Sequence, residues 1–81
     1  GNAIFDIPMF GHNEEAEMIL RNAVSNLKWL NSVVDRRIVC LDLGMDSETR
    51  YICDLIKREY NFIEIYSLEE FNNVMKQDLT G

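Results

Sequence analysis

The chain has 81 residues, of which 47% are hydrophobic and 27% are charged. This length fits a single domain, residues 1–81, and the composition is typical of a globular protein rather than a disordered one. Fourteen acidic against eight basic side chains give a net charge of −6, which disfavours nucleic acid as a partner because its phosphate backbone is also negative.

The hydrophobic residues are distributed too evenly for a membrane protein. No apolar run approaches the roughly 20 residues of a membrane-spanning helix, and no basic leader precedes an apolar stretch. We therefore expect a cytoplasmic protein that contacts no membrane. Cys40 and Cys53 form no C-x-x-C pair and His12 is the only histidine, so no metal site is predicted. Both cysteines are expected to be reduced and buried.

Strand and helix patterns alternate along the chain. The predicted elements are a strand over 3–7 closed by Pro8, a helix capped by Asn13 that runs to Asn31 or Ser32, a strand over 37–43, a helix capped by Asp46 or Ser47, a strand over 62–66 and a helix over 68–76. Ser67 and Glu70 have the spacing of a capping box at the start of the last helix.

This alternation predicts a small α/β domain of the βαβαβα type with a three-stranded parallel sheet, similar to half of a Rossmann-like fold. The second strand is apolar on both faces, whereas Asp6 interrupts the first strand and Glu64 the third, so the strand order 3-2-1 is predicted. In this order the first two helices share one face and only the third covers the other. We therefore expect a homodimer, formed through the open edge of the first strand or through the thinly covered face.

Ligands of open α/β sheets bind beyond the carboxyl ends of the strands. There the second strand runs into Asp42, followed by Gly44 and the next helix cap. An aspartate at this position can accept hydrogen bonds from a ribose or a base, and a glycine lets a ligand approach the backbone. In the alternative interpretation, Asp42 caps nearby backbone groups and Gly44 serves a turn with positive φ. His12, in the first loop, is expected to be solvated.

Residues 39–49, VCLDLGMDSET, resemble the segment VVVDDGSTDET of family 2 glycosyltransferases, which have the GT-A fold. The start of the chain, with IP at 7–8 and NEE at 13–15, is similar to the IPxxNEE of the same family. The likeness covers residues 3–66 and corresponds to the N-terminal, nucleotide-binding part of such an enzyme. It implies a UDP-type nucleotide held by the two loops. By position, it implies nucleotide contacts at Pro8, Asn13, Glu14, Asp42, Gly44 and Thr49.

The chain departs from the family pattern at Leu43, Met45 and Ser47, and its first loop is longer. It has no D-x-D segment to hold a divalent metal on a diphosphate, no general base and no acceptor-binding half. No catalytic residue and no cofactor are therefore predicted, and this chain alone is not expected to be an enzyme. The favoured hypothesis is a non-catalytic, glycosyltransferase-like domain that acts as an interaction or regulatory protein. The alternatives are a nucleotide or nucleotide-sugar binding module and an N-terminal fragment of a family 2 glycosyltransferase.

Overall fold

A computed structural model describes residues 2–28 and 35–80 of the chain. Its elements in chain order are β1 (Asn2–Gly11), α1 (Ala16–Leu27), β2 (Asp35–Met45), α2 (Ser47–Glu59), β3 (Ile63–Ser67) and α3 (Leu68–Thr80). The predicted βαβαβα succession is confirmed. Helix α1 ends at Leu27, and the predicted end at Asn31 or Ser32 lies outside the described residues.

The three strands form one parallel sheet in the order β1-β2-β3. The predicted order 3-2-1 lists the strands from the opposite edge of the sheet, and in both lists β2 lies between β1 and β3. Strand β2 lies in the middle, and its residues Ile38, Val39 and Cys40 are all buried. Uncharged side chains suit this position because both faces of a central parallel strand are covered. Asp6, on the outer strand β1, is exposed, which spares its carboxylate the cost of burial.

One face of the sheet packs against α1 and α2 to form the main core. The apolar stripe of each helix repeats every three to four residues and so meets this face along its length. The buried residues of this main core are Met9, Ala16, Leu20, Val24, Leu27, Ile38, Cys40, Cys53, Ile56, Ile63 and Ile65. Val39 alternates with Ile38 and Cys40 along β2 and therefore faces the opposite side, where α3 contacts β2 and β3.

Pro8 does not close the first strand, and this prediction was wrong. β1 continues through Pro8, which pairs with Leu41, as far as Gly11. The register shifts between Met9 and Gly11, so a bulge lies near the strand end. Proline is compatible with β1 because this strand is at the edge of the sheet. Its nitrogen, which cannot donate, can face away from β2.

Two local features complete the fold. Ser67 and Glu70 form the predicted capping box at the start of α3: the Glu70 N–H donates to Ser67 Oγ at 3.1 Å, and the Ser67 N–H donates to Glu70 Oε1 at 2.9 Å. Arg21 joins α1 to α2 by donating to both carboxylate oxygens of Glu59, at 3.0 and 3.1 Å. Within residues 2–28 and 35–80, no helix has the length and apolar character needed to cross a membrane.

Candidate functional site

The carboxyl ends of β1 and β2 meet at one edge of the sheet, where residues 11–13 contact residues 46–49. We call this contact the rim junction. The Asp46 N–H donates to the Gly11 carbonyl at 2.8 Å, and the Asn13 N–H donates to Thr49 Oγ1 at 2.9 Å. Thr49 is 1% exposed, so its hydroxyl is a buried acceptor. The rim junction therefore fixes the segment after β1 against the first turn of α2.

Asp46, one of the two predicted caps, is the N-cap of α2. Its Oδ1 accepts from the Thr49 N–H at 2.8 Å, which satisfies one of the free donors at the helix start. This backbone hydrogen bond is the main reason why the pKa of Asp46 lies below its ordinary value. The nearby Thr49 side chain lowers the same pKa further. Thr49 thus serves the helix cap and the segment after β1 at once.

The prediction that Asn13 caps α1 was wrong. The helix begins at Ala16 after an N-cap at Glu15, and that N-cap makes no side-chain hydrogen bond. Asn13 Oδ1 instead accepts from the Glu15 N–H at 2.9 Å, which forms a side-chain turn before the helix. Glu14 and Glu15 consequently precede the first turn, and Glu17 is the acidic residue within it.

His12 is bound to acidic side chains rather than simply solvated. Its Nδ1 lies 2.8 Å from Asp46 Oδ2 and 3.5 Å from Glu48 Oε2, while Nε2 lies 3.9 Å from Glu14 Oε1. The hydrogen bond with Asp46 is the main cause that raises the pKa of His12. All four side chains remain substantially exposed. The cluster therefore joins the loop after β1 to the start of α2 in a pH-dependent way.

Among residues 2–28 and 35–80, His12, Asp46 and Glu48 form a group whose possible metal-ligand atoms all lie within 4.8 Å of one another. One imidazole nitrogen and two carboxylates could hold a divalent cation. Asp46 is already committed to capping α2 through Oδ1 and to His12 through Oδ2. The distances within this cluster are those of a hydrogen bond and its neighbouring ion pairs, which explain the arrangement without a metal.

Asp42 lies beside the first loop, because it pairs with Met9 in the register of β1 and β2. Its Oδ1 accepts from the N–H groups of Gly44 and Met45, at 3.0 and 2.8 Å, and its Oδ2 lies 3.0 Å from Arg50 Nη1. The Met45 N–H contributes most to lowering the pKa of Asp42, with Gly44 and Arg50 adding to it. Both carboxylate oxygens thus have partners within the chain. This agrees with the alternative interpretation, in which Asp42 caps nearby backbone groups.

The remaining positions implied by the glycosyltransferase likeness occupy different environments. Gly44 has φ of +107°, so it serves a turn that other residues adopt only with strain. Thr49 is buried in the rim junction, whereas Glu14 and Pro8 are exposed. The rim junction brings Asn13 and Thr49 into direct contact, but Pro8 lies three residues before this junction, within β1 and opposite Leu41. Nucleotide binding by this set stays a prediction.

The interaction of His12 with Asp46 was missed from the sequence, although a signal for it existed. Parallel neighbouring strands place the loops that follow them at the same edge of the sheet. One of these loops holds the only histidine, and the other holds Asp46 and Glu48. Opposite charges at the same edge could have been paired once β1 and β2 were taken as neighbours.

Comparison with known proteins adds no relative: no family model, no curated protein and no solved structure matches this chain. The likeness to family 2 glycosyltransferases therefore stays a prediction that rests on the two short segments alone.

Proposed function

We propose that this domain is a non-catalytic interaction module and that its partner is a second copy of the chain. The observation behind the proposal is a line of three exposed apolar side chains across the sheet end. Phe10, Leu43 and Leu68 are 69%, 45% and 52% exposed, respectively. We call these three residues the apolar row. Exposed apolar side chains that lie together are typical of protein contact surfaces.

The strand register places the members of the apolar row side by side. Met9 pairs with Asp42 and Gly11 pairs with Met45, so Phe10 lies alongside the segment that contains Leu43. Asp42 in turn pairs with Ser67, so Leu43 and Leu68 each follow a paired residue at the same end of the sheet. Phe10 alternates with the fully buried Met9, so it projects away from the core formed with α1 and α2. The row therefore runs from β1 to the start of α3 on the less covered side.

The open edge of β1 is a poorer contact surface than this face. Among the described residues, β1 pairs with β2 alone, which leaves one side of a ten-residue strand unpaired. Pro8 offers no N–H to an added strand, Asp6 places a charge beside it, and the register shift near Met9 distorts the edge. Proline, charge and bulges are the usual means by which proteins prevent strand addition. We accordingly assign the contact to the face that holds the apolar row.

The charge of the chain affects the choice of partner. Two copies with a net charge of −6 each repel one another, so their contact must be formed by uncharged side chains such as those of the apolar row. A twofold axis brings the same row of each copy together. Removing the exposed part of each side chain from water contributes about 1.5 kcal/mol, about half the value for burying a whole Phe or Leu side chain. Six such side chains give about 9 kcal/mol, about 5 kcal/mol more than the roughly 4 kcal/mol lost on association, which corresponds to a dissociation constant of about 0.2 mM.

Sedimentation analysis over about 10 μM to 1 mM protein tests this proposal, since the row alone supports a weak dimer. We expect the 9.5 kDa chain to reach twice that mass as concentration rises. Added salt should strengthen the association of two acidic copies by screening their repulsion, whereas it would weaken binding of a basic partner.

Phe10→Glu and Leu68→Glu should each shift the equilibrium to the monomer. Tyr51→Glu is the matched control, because Tyr51 is 61% exposed on α2 and lies outside the row. A monomer at every concentration would refute the proposal, as would equal disruption by Tyr51→Glu.

A further inference from the structure

Three sulfur atoms of the chain lie in contact within and beside the core. Cys40 Sγ lies 3.9 Å from Cys53 Sγ, and Cys53 Sγ lies 3.7 Å from Met45 Sδ. Cys40 and Met45 belong to β2 and Cys53 to α2, so the contact joins the central strand to a helix. Both cysteines are free thiols with no exposed surface. We call these three residues the sulfur cluster, and none of them belongs to the apolar row.

We infer that the sulfur cluster is a binding site for Cu(I), with Cys40 and Cys53 as thiolate ligands and Met45 as a thioether ligand. Thiolate and thioether sulfurs are the soft ligands that Cu(I) prefers. Three metal–sulfur bonds of about 2.3 Å at equal angles place the sulfur atoms about 4.0 Å apart. The two measured separations, 3.9 and 3.7 Å, are close to this spacing before any metal binds.

A disulfide between Cys40 and Cys53 fits the arrangement less well. It requires the two Sγ atoms to approach from 3.9 Å to about 2.0 Å, whereas a three-coordinate ion is compatible with a separation close to the present one. Met45 also has no part in a disulfide, whereas it supplies the third ligand of a Cu(I) site.

Met45 is the member of the sulfur cluster that reaches the protein surface. Met45 is only partly buried and follows Gly44, where an added Cβ would meet no atom within 4 Å. A methionine side chain has three rotatable bonds and can move aside at little cost. Binding replaces the two thiol protons by one Cu(I), so each ion bound releases up to two protons.

Anaerobic titration of the reduced chain with Cu(I), in competition with the chromophoric chelator bicinchoninate, tests this inference. We expect one Cu(I) per chain, and X-ray absorption should show three sulfur ligands at about 2.3 Å. Cu(I) should also raise the melting temperature, because a site present only in the folded chain is stabilised by its ligand. A fall in melting temperature would mean that the ion binds the unfolded thiols, and it would overturn the inference.

Two conservative variants separate the cluster from nonspecific thiol binding. Met45→Leu keeps the volume of the side chain and removes the sulfur, and it should weaken Cu(I) binding by about tenfold or more. Met18→Leu makes the same change at an exposed position on α1 and should leave binding unaltered. Cys53→Ser should abolish tight binding. Should that variant unfold, Met45→Leu alone decides, and unchanged affinity in Met45→Leu, or no uptake by the native chain, would overturn the inference.

Discussion

Thr49→Val is the substitution that tests the rim junction most directly. Valine has nearly the shape of threonine and is more apolar, so burial alone predicts a neutral or stabilising effect. The structure predicts the opposite, because the Thr49 hydroxyl accepts the Asn13 N–H at 2.9 Å. Thr49 is 1% exposed, so water has little access to replace this bond.

The expected cost follows from the donor that is left without a partner. A partly buried N–H that loses its acceptor costs about 1 to 3 kcal/mol. In a domain of this size, each kcal/mol lowers the melting temperature by about 4 to 8 °C. The variant should therefore melt well below the native chain in a circular-dichroism scan. Thr49→Ser, which keeps the hydroxyl and loses one methyl group, should cost about 1 kcal/mol.

Amide hydrogen exchange at Asn13 distinguishes the two variants by mechanism. The Asn13 N–H should exchange faster in Thr49→Val, because its acceptor has gone, and at nearly the native rate in Thr49→Ser. A Thr49→Val protein that melts at or above the native temperature and keeps Asn13 protected would show that the rim hydrogen bonds do not stabilise the fold.

Three further predictions concern other features of the structure. The pKa of His12 is raised above 6.5, so its contribution to stability is present below that pH and is lost as pH rises through the folded value. Urea midpoints between about pH 6 and 8 should therefore fall with pH in the native chain, and His12→Gln should remove that dependence. Ser67→Ala removes one half of the capping box and should cost about 1 kcal/mol in urea denaturation, and a native midpoint would contradict this. Gly44→Ala should destabilise more than Gly11→Ala, because φ of +107° lies outside the left-handed well and φ of +59° lies within it, and equal losses would argue against this account.

Local features of the fold were predictable from the sequence because they depend on residues only a few positions apart. Asp46 caps the helix that follows it, and Ser67 and Glu70 form a box over three residues, so the chemistry of the side chains identifies both. The central position of β2 was predictable too, since only this strand is apolar on both faces. In each case the sequence pattern and the required environment correspond directly.

Features that depend on strand register were harder to predict. His12 meets Asp46 across 34 positions of sequence, and only the alignment of β1 with β2 brings them together. The sequence predicts that Pro8 closes the first strand, but whether the missing donor of a proline ends a strand depends on which side of the strand has a neighbour. Likewise, the two partners of Asp42 Oδ1 are local, whereas its contact with Arg50 depends on where α2 begins.

The position of Pro8 has a consequence for the chain at high concentration. A long free strand can act as a template on which further chains stack into fibrils, each held by the backbone of the one before. Pro8 has no backbone N–H to offer on the outer side of β1. Any strand that added there would therefore lack one backbone hydrogen bond near the middle of β1. A single proline thus hinders ordered stacking along β1, while the side chains of the apolar row remain exposed at the end of the sheet.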